Sequence, residues 1–86
     1  MYIREITVLN ISGIHARPAS DFIMRATKFK STLTILLNNN TINAKSIIQV
    51  MSLGLSKGMT FKLVAEGEDE VEAVDSLAEY VANIKD

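Results

Sequence analysis

One proline and one histidine, three residues apart, constrain this 86-residue chain more than any other feature. They lie in Ser12-Gly13-Ile14-His15-Ala16-Arg17-Pro18-Ala19-Ser20. Pro18 has no N–H and fits only the first turn of a helix, where that donor would lack an intrahelical partner. Gly13 allows a tight or left-handed backbone just before it. A helix therefore begins within this stretch, with His15 at or beside its N-cap. The unpaired N–H groups of a first turn, here those of Ala16 and Arg17, and the positive end of the helix dipole make an anion site. Arg17 adds a permanent, fork-shaped cation. A lone histidine is most simply a surface residue or a helix cap. With two independent stabilisers of a phosphate beside it, His15 instead reads as a nucleophile that carries a phosphoryl group.

Composition excludes most other chemistry. The length suits one domain, residues 1–86, with a single core. Its 48% hydrophobic and 22% charged content is that of a globular chain rather than a disordered one. A net charge of −1 with no basic run argues against nucleic acid as a partner. There is no cysteine, so disulfides, thiol catalysis and thiolate metal sites are excluded, and a single histidine leaves no basis for a metal site or a cofactor. Arg4, Glu5 and Thr7 break the N-terminal apolar run too early for a signal peptide. No apolar run is long enough to span a membrane. A soluble, cytoplasmic monomer is expected.

The elements follow from periodicity. Tyr2 to Leu9, rich in β-branched and aromatic residues, predicts a strand paired on both edges. Ala19, Phe22, Ile23 and Ala26 recur at helical spacing between Ala16 and about Lys28, with Asp21 and Arg25 as an outward i,i+4 pair worth roughly 0.3 kcal/mol. Thr32 to Leu37 alternates as a strand, Asn38-Asn39-Asn40 makes a hairpin turn, and Thr41 to Asn43 returns. Ser46 with Gln49 matches a capping box opening a short helix that ends at Gly54. Thr60 to Glu66 is a fourth strand with Phe61, Leu63 and Ala65 inward. Asp69 is the expected N-cap of a last helix, whose inward stripe is Val71, Val74, Leu77, Ala78, Val81 and Ile84. The order β-α-β-β-α-β-α predicts an α+β fold, a four-stranded antiparallel sheet with three helices on one face.

Gly13-Ile14-His15-Ala16-Arg17-Pro18-Ala19-Ser20 resembles the active-site motif of HPr, the histidine-containing phosphocarrier family of the bacterial phosphoenolpyruvate:sugar phosphotransferase system. Asn43-Ala44-Lys45-Ser46-Ile47-Ile48, followed by Val50-Met51-Ser52-Leu53-Gly54, is similar to the regulatory serine segment of the same family. The likeness covers essentially the whole chain. It implies the HPr-like open-faced β-sandwich and a carrier rather than an enzyme. His15 would accept a phosphoryl group on Nδ1 from phosphorylated enzyme I and pass it to a sugar-specific enzyme IIA, with Arg17 stabilising the charge. Ser46 would be phosphorylated by HPr kinase/phosphorylase, and that form would bind the catabolite control protein CcpA. The family docks its partners through Ser20, Met24 and Thr27 of the first helix and Ile47, Ile48 and Met51 of the second. Asp21, Gln49 and the three consecutive asparagines depart from the usual pattern and bear on partner choice. A regulatory protein like Crh, or another HPr paralogue acting mainly through Ser46, is the alternative; Crh lacks the histidine present here.

Overall fold

The computed structural model describes residues 1–85. Its elements are β1 (Tyr2–Thr7), α1 (Ala16–Ala26), β2 (Thr32–Leu37), β3 (Asn40–Asn43), α2 (Ile47–Ser52), β4 (Thr60–Glu66) and α3 (Glu70–Ala82). The strands form one sheet in the order β1-β4-β2-β3, each neighbouring pair antiparallel. Because β1 and β2 both run against β4, they run parallel to each other. Such strands cannot be joined by a hairpin, and α1 serves as the crossover between them. Strands β2 and β3 do form a hairpin, pairing Leu37 with Asn40. Only Asn38 and Asn39 are left in its turn, and Asn38 takes the left-handed backbone (φ 55°) that asparagine tolerates.

Alternation along the strands fills the core from one side of the sheet. Ile6, Leu33, Ile35, Phe61, Leu63 and Ala65 are buried. Ala19 and Phe22 of α1, Val50 of α2 and Leu77 of α3 close over them. Each fully buried Phe or Leu contributes about 1.5–3 kcal/mol through removal of apolar surface from water. On the opposite side, Glu5 and Lys62 are exposed while Thr34, Leu36 and Val64 are partly so. The sheet is open-faced, as the pattern predicts.

Four expectations are corrected. Strand β1 lies at the edge of the sheet and pairs only with β4. Its apolar content serves packing rather than a second pairing: Ile6 joins the core, and Tyr2 and Arg4 reach Asp75 of α3 through hydrogen bonds of 3.0 Å each. Helix α1 ends at Ala26, with Thr27 as its C-cap. The Asp21–Arg25 pair does not form, because the Arg25 guanidinium sits over the Tyr80 ring, 4.6 Å from its centroid. In α3, Val71 is exposed and Ala73 takes the inward position instead.

Asp69 occupies the N-cap position of α3 without capping it by its side chain. Its carboxylate instead accepts the backbone N–H groups of Lys30 and Ser31, both at 2.9 Å, and the hydroxyl of the buried Ser31. One residue thereby ties the α1–β2 connection to the start of α3. The fit is close, since a Cβ on Gly67 would come within 2.7 Å of Ser31 Cα. The Ser31 hydroxyl, followed by the Lys30 N–H, holds the Asp69 carboxyl below its ordinary pKa. A depressed folded-state value adds stability that is complete above the unfolded value near pH 4 and is lost as pH falls through the folded one. Asp69→Asn is expected to lower the melting temperature at pH 7 and to flatten its fall between pH 5 and 3. Thermal melts by circular dichroism at stepped pH check this, and parallel pH profiles for the two proteins would contradict it.

Candidate functional site

The stretch before α1 is tied down by backbone hydrogen bonds to the connection between α2 and β4. Val8 donates to the Met59 carbonyl at 2.9 Å and accepts from Gly58 at 2.8 Å. Ile14 donates to the Leu55 carbonyl at 2.8 Å. Ile14 and Leu55 are both buried. The loop is also closed on itself, with Gly13 donating to the Asn10 carbonyl at 3.2 Å and the Asn10 amide nitrogen donating to the Gly13 carbonyl at 2.7 Å. Gly13 has φ 68°, and a Cβ there would strike the Leu55 carbonyl oxygen and lie 2.8 Å from Ser56 Cα. Both the dihedral and the space require glycine.

This anchoring determines where His15 goes. Ile14 is in the core, so the next residue is delivered to the surface, where His15 is exposed as the N-cap of α1 with extended backbone (φ −96°, ψ −163°). Its ring makes no capping hydrogen bond. The His15 carbonyl accepts the first helical bond, from Ala19 at 2.8 Å. The N–H groups of Ala16 and Arg17 precede that bond and have no intrahelical acceptor, while Pro18 has no N–H to leave unpaired. Pro18 and Ala19 are buried and fix the turn. Arg17 is exposed and forms no ion pair among the described residues. An imidazole, two amides without intrahelical acceptors and a guanidinium with no ion pair among the described residues therefore lie within three successive residues at one exposed helix start, a set of groups that can receive and stabilise an anion.

Ser46 caps α2 as its sequence indicates: its side-chain oxygen accepts the Gln49 N–H at 3.4 Å. The reciprocal half of the capping box is displaced, since Gln49 Oε1 accepts the Asn43 N–H at 2.9 Å rather than that of Ser46. The Ser46 N–H is already donated to the Asn43 carbonyl at 3.1 Å. Helix α2 ends as expected, with Gly54 left-handed (φ 61°) immediately after its Leu53 C-cap.

Of the residues expected on a docking face, Ser20, Met24 and Thr27 are exposed on or just beyond α1, and Thr27 Oγ1 donates to the Met24 carbonyl at 3.0 Å. Met24 is 63% exposed, and Ile48 and Met51 of α2 are 79% and 44% exposed. Ile47 differs from them, being half-buried against the core. The two helices pack against each other. Large apolar side chains left in water on adjoining helices are the mark of an interaction surface. Ile11, 77% exposed in the loop leading to His15, belongs with them by exposure. A single apolar residue within a polar turn gave no periodic signal by which to find it.

Comparison with known proteins agrees with this geometry. The family model for the PTS HPr component phosphorylation site matches residues 3–83. The phosphocarrier protein HPr of Lysinibacillus sphaericus is 44% identical over 78 residues, covering 91% of this chain and 89% of the relative. That of Buchnera aphidicola subsp. Acyrthosiphon pisum is 38% identical over 78 residues, covering 91% and 92%. The crystal structure of HPr-C-His from Thermoanaerobacter tengcongensis superposes with a TM-score of 0.91 at 44% identity, covering 95% of this chain and 92% of that one. Sequence, fold and the exposed histidine at the helix start agree: the chain belongs to the HPr family, the phosphocarrier proteins of the phosphotransferase system.

Proposed function

We propose that His15 is the phosphoryl-carrying residue of this protein. The observation that carries the reading is the exposed imidazole beside the open N–H groups of Ala16 and Arg17, with an Arg17 guanidinium that has no ion pair among the described residues. The lone pair of Nδ1 attacks phosphorus as the donor's bond to phosphorus breaks, so the imidazole gains the group while its proton stays on Nε2. No proton has to leave, and the chain needs no general base. The two amides and the guanidinium take up charge on the phosphoryl oxygens during transfer. Exposure suits the second half of the task, because a carrier must present the same atom to a donor and then to an acceptor. Phosphorylated enzyme I is the donor and a sugar-specific enzyme IIA the acceptor, the partners that membership of the family implies. Met24, Ile48 and Met51 suit such exchange, since flexible thioethers and exposed apolar groups adapt to more than one surface.

Incubation with enzyme I and labelled phosphoenolpyruvate is expected to leave acid-labile, base-stable phosphate on the protein. His15→Ala is expected to take up none while keeping its fold. Arg17→Ala is expected to slow transfer by roughly 10- to 100-fold, the worth of a hydrogen-bonded charge on the transferring group. Labelling of His15→Ala equal to that of the unsubstituted protein would remove His15 from the mechanism, and an unchanged rate in Arg17→Ala would remove Arg17.

Ser46 adds regulation to the same reading. A phosphate placed there by HPr kinase/phosphorylase keeps a capping oxygen at the start of α2 and adds negative charge beside the apolar surface. The charge opposes docking of enzyme I and provides the distinguishing feature for a partner such as CcpA. Titration of enzyme I with Ser46→Asp is expected to give weaker binding than the unsubstituted protein. Equal affinity would contradict the charge argument.

A further inference from the structure

Tyr80 reaches the reactive end of α1 from α3, and nothing above assigns it a function. Its single hydroxyl proton is shared between two acceptors, the Pro18 carbonyl at 3.2 Å and Asp21 Oδ2 at 3.5 Å. Its ring carries the Arg25 guanidinium. Arg17, Pro18, Asp21, Tyr80, Asn83 and Lys85 are among the residues that line one open hollow on this side of the molecule. Burial, with the Asp21 charge next, raises the pKa of the Tyr80 hydroxyl, so it remains a donor at neutral pH.

Asp21 stands four residues after Arg17 and four before Arg25. On a helix it can pair with either, since side chains at i and i+4 are neighbours. Neither pair forms among the described residues. Tyr80 accounts for both absences. Its ring holds Arg25 in a cation–π contact, and its hydroxyl faces the Asp21 carboxylate from α3. Without that hydroxyl, the carboxylate would have a vacant site on one side and the Arg17 guanidinium one turn away on the other. An Asp21–Arg17 pair would occupy the donors that Arg17 needs for a phosphoryl group and cancel its charge.

We propose that Tyr80 is a positioning residue for phosphoryl transfer: by anchoring Asp21 and the Pro18 carbonyl, it keeps the Arg17 guanidinium free for the group carried on His15. The proposal rests on the phosphocarrier reading. The competing pair is solvent-exposed and worth about 0.3–1 kcal/mol, which converts to a change of about two- to fivefold.

The test is the rate of phosphoryl transfer from phosphorylated enzyme I to four proteins at low ionic strength: the unsubstituted chain, Tyr80→Phe, Asp21→Asn, and the double variant. Tyr80→Phe is expected to be about two- to fivefold slower. The double variant is expected to transfer at the rate of Asp21→Asn alone, so that the loss caused by Tyr80→Phe disappears when the carboxylate is absent. Added salt is expected to narrow the deficit of Tyr80→Phe, because the competing pair is screened. A merely structural role for Tyr80 would leave the double variant as slow as Tyr80→Phe, and that result overturns the proposal. So does a Tyr80→Phe rate equal to that of the unsubstituted chain. If the unsubstituted chain accepts no phosphate at all, the carrier reading falls and this proposal with it.

Discussion

The hydrogen bond from the Ile14 N–H to the Leu55 carbonyl is the contact on which the site depends. It joins two loops far apart in sequence and holds them close enough that only glycine fits at position 13. Everything downstream of it follows from alternation. Ile14 points into the core, His15 is therefore turned outward, and Pro18 and Ala19 are buried again one turn later. The His15 imidazole in water thus stands between backbone segments anchored by buried residues on both sides. A carrier has to satisfy both conditions, because its reactive atom must be reachable while its surroundings stay in place.

The same division of labour extends across the molecule. The sheet and the inner faces of the helices supply the core, while the outer surfaces of α1 and α2 keep Met24, Ile48 and Met51 in water. That exposure forgoes a few kcal/mol of burial and leaves large apolar side chains in water on two adjoining helices. Charges near the reactive end are handled with similar restraint. Among the described residues Arg17 has no ion pair, Arg25 is held on an aromatic ring, and Asp21 is engaged from α3 rather than from its own helix.

The element order and the inward faces of β2 and β4 were legible in the sequence, from helical spacing in the helices and alternation in those two strands. The backbone from Gly13 to Pro18 was legible as well: glycine, histidine and proline at that spacing leave few solutions. What could not be read were relations between distant segments. The edge position of β1 depends on pairing with β4, to which its own residues give no clue. Asp69 looks like a helix cap until Lys30 and Ser31 arrive from another connection to claim its oxygens. Gln49 is drawn to Asn43 in the same way. Tyr80 lies outside the apolar stripe read for the last helix, and only the packing of α3 against α1 brings its hydroxyl to Pro18. Local chemistry was visible, and competition for partners was not.

The account's central claim is that the open amides at the start of α1 embrace the phosphoryl group. Two-dimensional 1H–15N NMR of the protein before and after phosphorylation by enzyme I tests it directly. The geometry predicts that the amide resonances of Ala16 and Arg17 move most, as their N–H groups bond to phosphoryl oxygens, while those of the sheet stay in place. A phosphorylated protein in which both amides keep their original resonances would contradict it.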